Sequence, residues 1–210
     1  MKKVKPLLIL GSGGHCKVLI EILELRKMDI IGIVDPNRSI GTTYLGVEVV
    51  ANDVHINEFN PSKINLVNGI GSIPSNENRW LEAQRLRAKG FSFEQLIHPS
   101  AILSSKLNLE DGVQIMAGSV LQSNVSIGRD VIINSGSVID HDTVIGEQSH
   151  IAPGVTISGG VKVGKRTHIG TGTVVIQDIS IGDNAVIAAG SVIFKDVPNN
   201  YKLIQKKKEM

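Results

Sequence analysis

The sequence predicts two dissimilar units in tandem: an α/β unit built on a parallel sheet, followed by a solenoid of six-residue repeats. Three observations carry this. An aliphatic residue stands at every sixth position from Ile97 to Ile193, the first 90 residues alternate apolar runs with helix-period segments, and aromatic residues make up only 3% of the chain. A narrow prism filled by aliphatic side chains has little room for rings. With 210 residues, one or two domains are expected.

In the first unit, the apolar run from Pro6 to Gly11 reads as a strand and breaks at the loop Gly11-Ser12-Gly13-Gly14. A helix-period segment with Val18, Leu19, Ile22, Leu23 and Leu25 follows. A second run, Ile30 to Val34, ends at Asp35-Pro36, and a third, Ile64 to Val67, ends at Asn68-Gly69-Ile70-Gly71. Glu77 to Lys89 reads as a helix. Strands alternating with helices imply a parallel sheet, whose ligands gather at the carboxyl ends of the strands. All three loops lie at such ends. Glycines after a first strand let backbone N–H groups approach an anion near the positive end of the next helix, which suits a phosphate or diphosphate. No glycine stands three residues after Gly13, where the chain has Cys16, so the full dinucleotide fingerprint is absent and a site for one nucleotide fits better than NAD. A tight strand-to-helix turn without a ligand is the other reading. Asp35 also has two readings: a hydrogen bond to a ribose or base edge, or a turn aspartate ahead of Pro36.

The repeat needs a unit of a short strand plus a turn, because a period of six fits neither a helix nor a plain strand. Two residues before the anchors come small or β-branched residues such as Val113, Ser119, Ser137, Thr143, Val155 and Thr173, which also point inward. One residue after the anchors come Gly128, Asn134, Asp140, Gly146, Ser158, Gly164, Gly170 and Gly182, types that tolerate a tight or left-handed backbone. Three hexads close one triangular coil, so residues eighteen apart stack, and the run makes about five coils. His141 therefore stacks on Gly159.

Composition excludes several functions. A net charge of +2, without a basic stretch interleaved with aromatics, gives no case for nucleic acid. Leu7 to Leu10 is too short for a signal-peptide core or a membrane span. Cys16 is the single cysteine, so an internal disulfide framework is excluded and a cytoplasmic location is expected. No histidine pair has zinc-ligand spacing, and no metal is expected.

Five segments add up to a family: "GSGGHCK" at 11–17, "IVDP" at 33–36, "NGIGS" at 68–72, "LIHPSA" at 96–101 and "VIDHDTVIGEQSHIAPGVTISGGVKVG" at 138–164. With these the chain resembles the PglD/NeuD-like acyltransferases of bacterial surface-sugar biosynthesis over about residues 5 to 198. The resemblance implies a Rossmann-like nucleotide-sugar-binding domain at 1–92, a left-handed parallel β-helix at 93–198 and a basic tail at 199–210. It implies a homotrimer with active sites between neighbouring prisms, acetyl-CoA as donor and a sugar or nucleotide-sugar as acceptor.

The resemblance also distributes roles. His141 takes the place of a general base, and histidine chemistry supports this because an attacking amine or hydroxyl must lose a proton near neutral pH. Asp142 stands where the family commonly has glutamate; it can orient the ring, or leave that to Asp140 or a neighbouring subunit. His150, Gly159, Thr171 and Ala189 are expected on the acetyl-CoA side, with the Gly159 amide facing the thioester carbonyl and His150 alternatively a plain surface histidine. Gly13, Gly14, His15, Asp35, Gly71 and Asn134 are expected on the acceptor side; for His15 a structural role and for Asn134 a plain solenoid turn remain open. His168 stacks on His150 without matching a family motif and reads as structural. The family's C-terminal CoA segment is replaced by "KDVPNNYKLIQKKKEM", where Lys206, Lys207 and Lys208 either meet CoA phosphates or form a solvated tail. Three functions are compatible: an N-acetyltransferase for a nucleotide-linked amino-deoxysugar, an O-acetyltransferase for a sialic-acid-like sugar, or a non-catalytic trimeric solenoid. The glycine loop and Asp35 favour the first.

Overall fold

The computed structural model describes residues 5–74 and 77–203, and the lysines at 206–208 lie outside them. The chain divides into two compact units, Met1–Pro99 and Ser100–Met210.

The first unit is a small α/β domain. Strands β1 (Leu7–Leu10), β2 (Ile30–Val34), β3 (Thr43–Tyr44), β4 (Val47–Ala51) and β5 (Asn65–Asn68) form one sheet in the order β3-β4-β2-β1-β5. β1 pairs in parallel with both β2 and β5, and β4 is parallel to β2. The sheet's progression therefore reverses direction at β1, and the loops after β1, β2 and β5 meet at that switch point. Helices α1 (Gly14–Leu25) and α2 (Asn78–Ala88) follow β1 and β5. Helix α1 buries Cys16, Leu19, Ile20, Ile22 and Leu23, whereas Val18 and Leu25 are exposed. Leu19, Ile22 and Leu23 of the expected stripe are thus buried, with Cys16 and Ile20 taking the places of Val18 and Leu25 on the inner face. Between β2 and β5, in a stretch to which the apolar pattern assigns no element, stand the antiparallel pair β3–β4 and a 3-10 turn at His55–Glu58. Phe91 and Phe93 complete a core with Leu8, Leu10, Val34 and Leu66.

The second unit is a parallel β-solenoid. Two-residue strands stack in three faces, pairing with strands eighteen positions on, as in Val120↔Val138, Ser126↔Val144 and Ile132↔His150, until the last turn, where Val186 pairs with Lys202. The first face holds Val138–Ile139 and Thr156–Ile157, the second Val144–Ile145 and Lys162–Val163, the third Ile132–Ile133, His150–Ile151 and His168–Ile169. Every anchor from Ile115 to Ile193 is buried; Leu103 and Leu109, at the open first end, are half-buried. The residues two positions earlier are buried as well, and this explains why so many are Ser or Thr. Their hydroxyls donate across coils to the first carbonyl of the next turn: Ser137 to Ala152 (3.0 Å), Ser149 to Gly164 (2.7 Å), Thr167 to Gly182 (2.7 Å). Each buried hydroxyl is satisfied by a carbonyl that no strand can pair.

The turns correct one expectation. The left-handed residue is the third after the anchor, as at Asn124, Asp142, Gly154 and Gly172 (φ +64°, +60°, +67° and +68°), not the first. The first-position glycines serve close approach instead. A side chain on Gly146 would come within 2.7 Å of the backbone of Gly164 and Lys165 in the next coil.

Candidate functional site

Two sets of residues stand out, one in each unit. In the first unit, an open cleft of about 860 Å³ lies over the switch point, lined by the glycine loop, by Val34 to Arg38, by Gly69 to Gly71 and by Asn78, Glu82 and Arg85 of α2. Gly13 and Gly14 have open space where a side chain would stand, so the start of α1 is accessible to a ligand's close approach. His15 sits half-buried in the first turn, its Cβ 3.8 Å from where a side chain on exposed Gly71 would begin.

Asp35 is buried and committed to the loop. One carboxylate oxygen accepts the Ser12 N–H (2.8 Å) and hydroxyl (2.5 Å), and the other accepts the Asn37 N–H (2.8 Å). Burial pushes its pKa up, but these hydrogen bonds and the Arg38 charge outweigh it and hold the carboxyl below the usual range. Arg38 was not singled out by the sequence. Its Nε donates to Ser12 Oγ at 2.5 Å, and its guanidinium lies 4.4 Å from the centroid of the Tyr44 ring, whose hydroxyl donates to the Gly13 carbonyl at 3.3 Å. The loop, the carboxylate, the guanidinium and the ring form one network, and no periodic pattern in the sequence marks Arg38 or Tyr44. Burial, then the Asp35 charge, pushes the Cys16 thiol up to about 12, so this cysteine is a core residue rather than a nucleophile.

In the second unit, His141 stands exposed on the edge that follows the first face. Its Nδ1 lies 2.8 Å from Asp142 Oδ2. Neighbours in sequence rarely make such a bond, and here the left-handed backbone of Asp142 (φ +60°) folds the carboxylate back to the ring. The other oxygen of Asp142 accepts from Asn124 Nδ2 at 2.6 Å, one coil earlier, a partner that the eighteen-residue stacking rule identifies in retrospect. Asp140 accepts the His141 N–H at 2.7 Å. The Asp142 hydrogen bond first, then the charge of Asp140, raises the His141 pKa, while Asn124 and His141 lower that of Asp142. With its proton on Nδ1 facing the carboxylate, the neutral ring presents a basic Nε2. One coil on, a side chain at Gly159 would lie 2.6 to 3.1 Å from His141 Cε1, Nε2 and Nδ1, so glycine at this place makes room for the ring.

The remaining residues expected at the site gather elsewhere on the prism. His150 lies on the third face, its Nε2 3.2 Å from Asn134 Nδ2, and its ring meets that of His168 edge-on at 4.9 Å. Thr171 and Ala189 are exposed on the edge that follows this face, where Gly118, Gly136, Gly154, Gly172 and Gly190 supply the left-handed residues (φ +67° to +68°) and leave a surface of small side chains. Within one chain, then, His141, Asp142 and Gly159 share one edge, while Asn134, His150, Thr171 and Ala189 share another face and edge. Among the described residues, no group of three His, Cys, Asp or Glu is placed to hold a metal ion, and no helix is long and apolar enough to cross a membrane.

Comparison with known proteins matches residues 6–86 to the PglD N-terminal domain. Residues 108–141, 127–159, 142–177 and 160–195 match the bacterial transferase hexapeptide (six repeats). A solved structure of perosamine N-acetyltransferase from Caulobacter crescentus, a histidine variant in complex with CoA and GDP-perosamine, is 34% identical, covering 95% of this chain and 93% of its own, with a TM-score of 0.87. The chain belongs to the PglD/NeuD-like sugar acetyltransferases. Another structure from this family, PerB from the same organism with CoA and GDP-perosamine, is 35% identical over 94% of this chain and 92% of its own, with a TM-score of 0.84. The acetyltransferase domain of PglB from Neisseria gonorrhoeae, in complex with acetyl coenzyme A, is 28% identical over 95% of this chain and 96% of its own, with a TM-score of 0.87. No curated protein sequence matches the chain.

Proposed function

We propose that the chain transfers the acetyl group of acetyl-CoA to the amino group of a nucleotide-linked amino-deoxysugar. The observation that carries this is the pairing of His141 with Asp142 above a glycine at position 159, an oriented base beside a backbone amide, in a family whose structures hold CoA and a nucleotide amino sugar. His141 Nε2 takes a proton from the acceptor amine as its nitrogen attacks the thioester carbonyl carbon and forms the C–N bond. The developing oxyanion is met by the Gly159 N–H. The C–S bond then breaks, and the proton passes from His141 to the departing CoA sulfur, leaving the amide product, free CoA and the neutral ring. Asp142 keeps the ring's other proton on Nδ1 throughout.

The cleft of the first unit receives the nucleotide. The open glycines at the start of α1 and the guanidinium of Arg38 suit a diphosphate, and Asp35 shapes the loop that meets it through Ser12. On the donor side we place His150, Thr171 and Ala189. Because His141 and His150 occupy different parts of the prism, a complete site needs two copies, which supports a homotrimer of about 65–70 kDa in which each cleft takes one set from each neighbour. A cytoplasmic location agrees with a lone buried thiol.

The test is CoA release by the purified full-length chain against GDP-, UDP-, TDP- and CMP-linked amino sugars and free sialic acids, with light scattering on the same sample. Turnover of a nucleotide-linked amino sugar by a trimer is expected. Turnover of free sugars alone, or full activity as a monomer, would overturn the proposal.

A further inference from the structure

Asn134 does more than turn the chain. Its carbonyl oxygen accepts the Ser135 backbone N–H at 2.8 Å, with the Ser135 hydroxyl also directed to it at 3.5 Å. Those two donors settle which end of the amide is which, since reversing it would set –NH2 against an N–H. The amide nitrogen consequently faces His150, 3.2 Å from Nε2. An amide nitrogen only donates, so Nε2 must accept, and an accepting ring nitrogen carries no proton.

We infer that Asn134, its amide fixed by Ser135, is a positioning residue that locks His150 in the neutral tautomer with its proton on Nδ1. In the strand pairing His150 stands between Ile132 in the preceding coil and His168 in the next. His168 packs edge-on against it with an interplanar angle of 83°, and burial lowers the pKa of His168, so neither stacked neighbour brings a charge. The Nδ1 of His168 is buried and has no hydrogen-bond partner among the described residues, consistent with a ring kept as a neutral wall rather than a second proton carrier. The lock occupies His150 Nε2 and keeps it from acting as a base, in contrast to His141, whose acidic neighbours hold the proton on Nδ1 and free Nε2 to accept.

The experiment is a long-range ¹H–¹⁵N spectrum of the full-length protein labelled at histidine, at neutral pH and without substrates, with His150→Gln used to assign the signal. His150 is expected to show a protonated Nδ1 and a bare Nε2. In Asn134→Asp a carboxylate accepts where the amide donated, and Nε2 is expected to gain a proton. A wild-type His150 protonated at Nε2, or an Asn134→Asp spectrum identical to the wild type, overturns the lock. Because no substrate is present, the outcome is independent of the acetyl-transfer assay: a chain that releases no CoA can still show the tautomer, and an active chain can lack it.

Discussion

The same position of the hexad, two residues after the anchor, is used in opposite ways on two edges of the solenoid. On the second edge it holds Arg129, Glu147, Lys165 and Asp183, alternating in charge. Arg129 reaches Glu147 at 3.0 Å, Lys165 reaches Glu147 at 3.1 Å, and the Lys165 backbone N–H donates to Asp183 at 2.7 Å, so each coil is tied to the next. On the first edge the position holds Ser123, His141, Gly159 and Gln177. The tie is missing there: glycine leaves a gap, and the imidazole lies in it. Coils are spaced by about 4.8 Å, the separation of hydrogen-bonded strands, and the His141 ring lies across that spacing in the place a side chain at Gly159 would take. The fold supplies an equivalent place on each edge, and the proposed base stands where the charged tie is given up.

The sharpest way to break this comparison is to remove the ring. His141→Ala should lower kcat by about 10²–10⁴, the usual worth of a positioned general base, with KM for acetyl-CoA nearly unchanged. Steady-state kinetics on a trimer shown to be intact decides it, and a loss under about threefold would end the assignment. Filling the gap comes next. Gly159→Ala puts a methyl 2.6 Å from His141 Cε1 and must push the ring aside. A displacement of this size should cost about 10² in kcat while the thermal midpoint moves little, because the ring is exposed and free to swing out. A Gly159→Ala enzyme of normal kcat would mean that the ring works from another position.

A smaller effect is expected from Asp142→Asn. Asparagine tolerates the left-handed backbone at this position, so the turn should persist. What is lost is the hydrogen bond that contributes most to raising the His141 pKa. A base works in its unprotonated form, so activity of the wild type rises with pH through a pKa above the ordinary histidine value. In Asp142→Asn that limb should move to lower pH while the plateau falls by about tenfold, since the ring is no longer held in the right tautomer. A pH–kcat profile with an unmoved acidic limb would assign the tuning to Asp140 instead.

How far each feature was legible follows from how it is encoded. The anchors and the buried small residues repeat, so one correct hexad gives them all, and the stacking of His141 on Gly159 follows by counting. The left-handed turn position was misread because glycine serves two ends in these turns, φ at Gly154 and Gly172 and close approach at Gly146 and Gly164, and residue type alone does not separate them. The bond between His141 and Asp142 depends on the backbone of Asp142, and that between Asn134 and His150 on how a turn residue faces a strand residue sixteen positions on. Neither has a sequence period. In the first unit the strands after which the loops gather were readable as apolar runs. The Arg38–Tyr44 contact was not, because Tyr44 belongs to a short β-hairpin in a stretch without a clear apolar pattern.

The second edge offers the mildest test, and it sharpens the comparison from the other side. Glu147 binds two cations from the coils before and after it, which hold its carboxyl below its ordinary pKa against the opposing effect of burial. Both cations are about half exposed, with side-chain exposures of 53% for Arg129 and 54% for Lys165, so each pair is screened by solvent. Together the two pairs contribute on the order of 1 kcal/mol, not the larger figure that a buried network would give. Glu147→Gln should lower the thermal midpoint by a few degrees, about 2–4 °C per kcal/mol for a chain of this size, and added salt should shrink the difference from the wild type. Because Glu147's lowered pKa stabilises the fold above the ordinary carboxylate range, the difference should also fade as pH falls through that lowered value. Activity should not change, since this edge carries none of the residues placed in the site. A variant that loses kcat without losing stability would show that the two edges are coupled through the coil, and the division between a tying edge and a working edge would have to be abandoned.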